Sequence, residues 1–223
     1  MDEADRAALA QLARDHRSRS LEHAEVLPSP YVKVCGFLPP AERDALFDAI
    51  VAAEADYISN AMDGRRALVL FPAPAIAELF ATEILRAATS LLAPLGFDPE
   101  ELVAPTARDL AVTASGHGDF FGPHRDDIAP LSTPATRARR VSLAFHLNSV
   151  PKRFEGGELR LYDYRVFNGE SVPANTFTAL EPEDNTLIAF LSGTRHDVAS
   201  VRFEDNAFAG RRFSVTGSFS IPT

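Results

Sequence analysis

The spacing of apolar positions changes once along the 223 residues. Before about residue 92 they recur every three or four positions, and from Leu102 onward they alternate within short runs. Residues 1–25, MDEADRAALAQLARDHRSRSLEHAE, hold many Ala, Leu, Arg and Glu and no Gly or Pro, which predicts a helix. Its apolar stripe is only Leu9, Leu12 and Ala13, so the helix is expected to be peripheral. After LPSP, an apolar run from Tyr31 to Phe37 leads into LPPAERDALFDAIVAAEADYI. Proline in the first turn, acids just inside it and Leu46, Phe47, Ile50 and Val51 at helical spacing predict a second helix there. A third is predicted at about Ala75 to Leu92, with Ile76, Leu79, Phe80, Ile84 and Leu85 on one side.

Beyond Leu102 the runs LAVTA, RRVSLAFHLN, GGELRLYDY, TFTAL, NTLIAF and RRFSVTGSFSI are separated by Gly, Pro, Asn and Asp, and each reads as a strand. Helices first and strands afterwards predict a mainly β fold with packed helices (α+β). The expected architecture is an antiparallel sandwich or open barrel with the helices on one face. We find no repeat or linker and expect one domain over 1–223, with 1–29 as a peripheral helical segment and 102–220 as the core. A chain of this length can bury roughly two thirds of its unfolded surface.

Composition narrows the partners. A net charge of -9 and a pI near 5.1 argue against a nucleic-acid backbone as partner, although Arg137, Arg139 and Arg140 form a local basic cluster. The single cysteine, Cys35, allows neither an internal disulfide framework nor a thiolate cluster for zinc. No apolar run approaches the ~20 residues of a membrane span, and the N-terminal stretch is acidic. No membrane partner and a cytoplasmic location are therefore expected.

Candidate chemistry begins in HGDFFGPHRDD, residues 117–127, which carries His117-Gly118-Asp119 and His124-Arg125-Asp126. Six histidines and 31 acids produce about 0.8 such triplets by chance, and three occur, so the spacing alone proves nothing. His23 and Glu25, the third pair, fall on the predicted first helix, where residues i and i+2 point to different sides. His117 and Asp119 stand among Ser115, Gly116 and Gly118, in what should be a mobile turn too loose to hold ligand geometry. His124 and Asp126 follow FFGP. Proline biases the preceding residue to extended backbone, and in an extended segment residues 124 and 126 project to one side.

A metal held by one His and one carboxylate needs a third ligand, commonly a second His, with positions left open for substrate and oxygen. His146 and His196 are the candidates. In RRVSLAFHLN, Val141, Leu143, Phe145 and Leu147 form one face, and Ser142, Ala144, His146 and Asn148 form a small, polar one suited to a cavity wall. His196 follows NTLIAFLSGT, at the junction of an apolar strand and a turn, where catalytic groups often sit. In GRRFSVTGSFS, Arg212, Ser214, Thr216 and Ser218 alternate with Phe213, Val215, Gly217 and Phe219. If the Phe side faces the core, Arg212 lines the opposite side and can grip a carboxylate. In the converse arrangement Arg211 points inward, and this segment alone favours neither.

Taken together, FFGPHRDD, RRVSLAFHLNSVPKRFEGGELRLYD, NTLIAFLSGTRHDVASV and GRRFSVTGSF resemble the catalytic half of the Fe(II)/2-oxoglutarate-dependent oxygenases, in the prolyl 4-hydroxylase-like branch. YVKVCGFLPPAERDAL resembles the segment that leads into the fold in the same branch, so the likeness spans about residues 30 to 220. It implies a double-stranded β-helix, or jelly roll, with Fe(II) held by His124, Asp126 and His196 and the far carboxylate of 2-oxoglutarate held by Arg212. His146 falls where this family often has a Tyr that touches the same carboxylate, and Ser214 and Thr216 are further candidates for that contact. The stretch from His196 to Arg212 is longer than usual, with RFEDNAFA inserted, which we expect to form a hairpin loop at the mouth. Halogenating members replace the carboxylate ligand by a small residue. Asp126 is present here, which implies hydroxylation.

The resemblance implies a dioxygenase that uses Fe(II), 2-oxoglutarate and O2, with ascorbate as a supporting reductant, and that hydroxylates an unactivated C-H bond with release of succinate and CO2. Family analogy leans towards a peptidyl substrate such as proline over a free amino acid or natural product. Two readings of another kind compete: a hydrolytic or isomerising enzyme using Zn or Mn on the same ligands, with no need for Arg212, and a non-catalytic jelly roll that binds a ligand. Arg125, Asp127 and the FEGGEL turn at 154–159 read more simply as solvated charges and a Gly turn that opens a strand.

Overall fold

The computed structural model describes Gln11 and residues 24–62, 64–71, 74–128, 134–204 and 207–222. The expected N-terminal helix, with Leu9, Leu12, Ala13 and the His23 pair, lies outside the described residues apart from Gln11, which is helical, and residues 24 and 25. The backbone divides into two compact units, one of residues 1–29 and 162–178 and one of 30–161 and 179–223.

The first elements are β1 (Val26–Leu27), β2 (Tyr31–Cys35), α1 (Pro40–Ala52), β3 (Ile58–Met62), β4 (Arg65–Leu70) and α2 (Pro74–Leu92). Then come β5 (Ala111–Ser115), β6 (Phe120–His124), α3 (Pro134–Ala138), β7 (Arg139–Leu147), β8 (Phe154–Gly156) and β9 (Leu159–Phe167). The chain ends with β10 (Glu170–Leu180), β11 (Thr186–Leu191), β12 (His196–Val198), β13 (Val201–Phe203) and β14 (Arg212–Ser220). In the smaller unit β1 pairs with the second part of β9, Leu27 opposite Tyr164, and Tyr162 and Phe177 meet edge to face at 5.6 Å. Asn168 and Gly169 turn β9 into β10 with positive φ at both positions, as a tight hairpin turn requires.

The larger unit is the jelly-roll core that the family resemblance implies. Its antiparallel sheet runs β12-β6-β4-β5-β14-β7-β11-β2, and each of the six expected strands is present. Alternation decides what each face does. Val141, Leu143, Phe145 and Leu147 of β7, Phe213, Val215 and Phe219 of β14, and Leu187 and Ala189 of β11 share one face. Leu46 and Ile50 of α1 and Phe80, Ile84, Ala88 and Leu91 of α2 close over it, each large side chain contributing roughly 1.5–3 kcal/mol on burial. Phe80 and Phe145 meet at 4.9 Å, with Phe37 against both. The helices therefore cover one face, and the opposite face carries Ser142, Ala144, His146, Ile188, Phe190, Arg212 and Ser214.

Three expectations change. The helix that begins at Pro40 ends at Ala52, and Ile58–Met62 pairs with Arg65–Leu70 as a hairpin between the two long helices. The Asp63-Gly64 dipeptide is the sequence signal for that hairpin. Leu85 is 64% exposed, because the buried stripe of α2 continues through Phe80, Ile84, Ala88 and Leu91, and Leu85 lies about 100° around the helix from Ile84. At the start of the inserted 202–209 stretch the partner is another segment: Val201–Phe203 pairs with Phe154–Gly156, and Val201, Phe203 and Phe154 bury one another, while residues 205 and 206 lie outside the described residues. Phe208 then packs on Tyr57 and Phe213. No helix among the described residues is long and apolar enough to cross a membrane.

Candidate active site

β6 and β12 are antiparallel neighbours, with His124 directly opposite His196, so two imidazoles far apart in sequence become adjacent at 4.2 Å between ring centroids. Each ring turns Nδ1 to a backbone carbonyl, His124 to Gly122 and His196 to Thr194, both at 2.9 Å. A carbonyl only accepts, so Nδ1 carries the hydrogen and each Nε2 is left with its lone pair. The main-chain N-H of Asp126 donates to the Ser192 carbonyl at 3.0 Å. That places its carboxylate 3.6 Å from Nε2 of His124 and 3.7 Å from Nε2 of His196. Ser142 Oγ donates to the carboxylate at 2.6 Å and lies 2.9 Å from Ser192 Oγ. Phe121 stacks on His124 at 3.6 Å and Phe190 meets His196 edge-on at 4.8 Å.

Burial pushes the Asp126 carboxyl upward, but His124, His196 and the Ser142 hydroxyl outweigh it and hold it well below the usual carboxylate range. Burial lowers His196 despite Asp126 beside it. A permanent carboxylate and two imidazoles, with ligand atoms all within 4.8 Å of one another, are the donor set of a two-His, one-carboxylate metal site. Among the described residues this is the grouping of three or more metal-ligating side chains.

Ser142 belongs to the polar face of β7, and the same wall continues into β14 and β11 through His146, which lies opposite Ser214 and Thr186. His146 is fully buried, and neither ring nitrogen has a hydrogen-bond partner among the described residues. Burial, then the charges of Arg212 and Lys33, push its pKa well below the usual value, so the ring is neutral. Arg212 is 2% exposed on this wall and donates from Nε to the Gly157 carbonyl at 2.8 Å. Burial draws it down to about 10, partly offset by Glu158, which leaves it charged at neutral pH. Arg211 takes the other side, beside Asp119 at 3.8 Å and over the Phe208 ring. A buried cation and an orphaned neutral imidazole on one wall fit a dianionic cosubstrate that has a carboxylate at its far end.

The family model of the 2OG-Fe(II) oxygenase superfamily matches residues 110–220, the stretch that holds all of these groups. An uncharacterized PKHD-type hydroxylase of Synechocystis sp. is 31% identical over 198 residues, covering 86% of this chain. The chain spans 63% of that relative's length. Among solved structures, a Pseudomonas putida prolyl-4-hydroxylase aligns with a TM-score of 0.58 at 20% identity, over 87% of this chain and 94% of its own. A Trichoplax adhaerens prolyl hydroxylase, in complex with a hypoxia inducible factor oxygen degradation domain peptide fragment, aligns at 0.58 and 15%, over 94% and 92%. A viral collagen prolyl hydroxylase of Paramecium Bursaria Chlorella virus-1, in a 2OG complex, aligns at 0.56 and 16%, over 86% and 96%.

The chain belongs to the 2OG-Fe(II) oxygenase superfamily.

In a superfamily that uses Fe(II), 2-oxoglutarate and O2, the structure brings His124, Asp126 and His196 together and puts Arg212, His146 and Ser214 on one wall. Thr216, at the edge of the same wall, spends its hydroxyl on the Ala111 carbonyl at 3.4 Å. His117 and Asp119 stay outside the cluster, though not for the reason the glycines suggest. Asp119 is buried, accepting from Arg66 Nε and from the Gly116 N-H, both at 2.8 Å, and His117 Nδ1 accepts from the Phe203 N-H at 3.3 Å. The turn is an anchored one. Arg125 and Asp127 pair with each other, as do Glu155 and Arg202.

Two positions beside the site escaped the sequence reading. Gly157 has φ +74°, and a Cβ there would come 2.6 Å from Arg212 Cδ, so its bare backbone is what lets the guanidinium lie where it does. The Gly-Gly pair was visible, but its partner was not. Arg65, at the start of β4, stacks 4.5 Å over Phe121 and feels the charge of Asp126.

Proposed function

We propose that this chain is an Fe(II)- and 2-oxoglutarate-dependent hydroxylase of the prolyl hydroxylase-like kind, with His124, Asp126 and His196 as metal ligands and Arg212 as the anchor of the cosubstrate. The observation that carries this reading is that the His-Asp-His cluster and the buried Arg212 share one polar wall, because Ser142 holds Asp126 and lies two residues from Ala144 and four from His146 on β7. When bound, iron supplies the oxidising chemistry: 2-oxoglutarate and O2 become succinate and CO2, and a substrate C-H becomes C-OH.

The chain's own residues orient and exclude. Backbone carbonyls fix both imidazoles by Nδ1, so Nε2 is presented to the metal without rotation. The hydroxyl of Ser142 holds one Asp126 oxygen in place. Arg212, already tied to Gly157 by Nε, offers its outer nitrogens to the far carboxylate of 2-oxoglutarate. His146 is neutral and carries one ring N-H, which gives that carboxylate a second donor where related enzymes often have a tyrosine. Phe121 and Phe190 pack against the imidazoles and keep water from their faces.

For the substrate we propose a peptidyl residue such as proline. The support is that several solved structures of like fold are named as prolyl hydroxylases, one of them with a peptide fragment bound. The decisive experiment is succinate formation from 2-oxoglutarate by Fe(II)-loaded protein after oxygen is admitted, without added substrate. Slow turnover that is lost in Arg212→Ala is expected. If wild type neither turns over nor binds 2-oxoglutarate, the hydrolytic metal site or the binding jelly roll takes its place.

A further inference from the structure

The hydroxylase reading leaves Arg65 without a role. Val69, on the same face of β4 as Arg65, lies opposite Thr113, and Thr113 lies opposite Ser214, so this face continues the wall that carries Arg212 and His146. The Arg65 guanidinium stacks over Phe121 at 4.5 Å, and Phe121 stacks on His124 at 3.6 Å. End to end these two legs keep the guanidinium carbon within 8.1 Å of the His124 ring centroid.

The contacts of this cation differ from those of three other arginines. Arg43, Arg125 and Arg160 each turn the Nε/Nη2 edge onto a carboxylate, of Asp184, Asp127 and Asp197, at 2.6–3.0 Å. The same edge of Arg65 has a single long contact, from Nη2 to Thr113 Oγ1 at 3.5 Å. Its Nε is buried with no hydrogen-bond partner among the described residues. A buried donor left unpaired costs about 1–3 kcal/mol, and one side-on carboxylate would satisfy both nitrogens at once. Burial draws the guanidinium down and Asp126 draws it up, and Arg65 stays a cation. Unlike Arg212, Arg65 as a residue is only partly buried, which leaves part of its side chain open to a molecule arriving after the cosubstrate.

We propose that Arg65 grips a carboxylate of the substrate through its Nε/Nη2 edge, so that the C-H bond oxidised lies on the residue that bears this carboxylate or on its neighbour. The reach follows from the distance to His124, since an extended residue spans about 3.5 Å. The inference rests on the hydroxylase reading and narrows its substrate class. The carboxylate is either an α-carboxylate or an acidic side chain beside the target, and the probes separate the two.

The full chain, loaded with Fe(II) and 2-oxoglutarate in the absence of oxygen, is titrated by calorimetry with three probes: N-acetyl-L-proline, N-acetyl-L-prolinamide, and N-acetyl-L-prolyl-L-aspartic acid with its α-carboxyl amidated. At least one carboxylate probe is expected to bind more than tenfold tighter than the prolinamide, and which one does so names the source. Arg65→Gln should bring the preference to within twofold, and Arg65→Lys, which keeps the charge but loses the two-pronged edge, should retain part of it. In parallel, 2-oxoglutarate affinity should fall more than tenfold in Arg212→Ala and less than threefold in Arg65→Gln.

The proposal is overturned by a wild type that does not distinguish carboxylate from amide, or by a preference that survives Arg65→Gln. It is equally overturned if 2-oxoglutarate affinity falls as far in Arg65→Gln as in Arg212→Ala, which would make Arg65 a cosubstrate group. Failure of the hydroxylase reading shows earlier and separately, as a wild type that does not bind 2-oxoglutarate before any probe is added.

Discussion

Two aspartates seven residues apart do different work because of what reaches their oxygens. Asp126 faces two Nε2 lone pairs and a serine hydroxyl, whereas Asp119 is spent on Arg66 and the Gly116 N-H. Asp126→Ala is therefore expected to lose bound iron and hydroxylation together. Asp119→Ala should keep its iron and lose about 1–3 kcal/mol of stability, since a buried N-H loses its acceptor. Metal analysis of the purified variants and their denaturant midpoints separate these outcomes; equal loss of iron in both would overturn the choice of Asp126. His146 poses the converse case. It is buried with two unpaired nitrogens, so His146→Leu should raise stability by roughly 1 kcal/mol while weakening 2-oxoglutarate binding about tenfold. A variant less stable than wild type, with unaltered 2-oxoglutarate affinity, would make His146 a packing residue and nothing more.

Among the elements, the strand faces were legible and the close approaches were not. Alternation in RRVSLAFHLN and GRRFSVTGSFS predicts which side chains of β7 and β14 meet the helices, and the core bears it out at Val141, Phe145, Phe213 and Phe219. It leaves Arg211 and Arg212 even, because period two only says that they point opposite ways. The turn before β9 shows why sequence spacing falls short: Gly157 matters through Arg212, a residue of a strand far along the chain. Gly157→Ala should therefore cost more than its backbone strain, displacing Arg212 and weakening 2-oxoglutarate binding at least tenfold. Gly169→Ala is the control, since its φ is +78° but a Cβ there meets nothing within 4 Å, so only about 1–2 kcal/mol of strain is expected and no change in 2-oxoglutarate affinity. Thermal unfolding and cosubstrate titration on both variants test the pair. The β3–β4 hairpin was missed for a different reason, in that its Asp63-Gly64 signal sits inside a region whose helical period dominates.

For the molecule as a whole, burial of a neutral His146 couples stability to pH. Its pKa is lowered on folding, so below the unfolded value of about 6.5 the unfolded chain binds a proton that the native chain does not. Stability should be level above about pH 7 and fall as the pH drops, by at most about 1.4 kcal/mol per unit for this group. Urea unfolding of the metal-free protein between pH 5 and 8 measures it, and the slope should be shallower in His146→Leu; identical slopes would refute the assignment to His146.

By itself the sequence determined the period of each segment, and with it a mainly β core under helices, and the order of the groups His124, Asp126, His196 and Arg212 by which the chain resembles its family. These are local properties, written in residues that lie two or four apart or in short recognisable runs. Only the tertiary structure decided which groups meet. Antiparallel pairing of β6 with β12 sets His196 against His124, the turn at Gly157 receives Arg212, Arg66 occupies Asp119, and β4 carries Arg65 onto the wall beside Phe121. Each of these contacts joins segments that no spacing along the chain relates, and each depends on a register that only the closing of the whole sheet supplies.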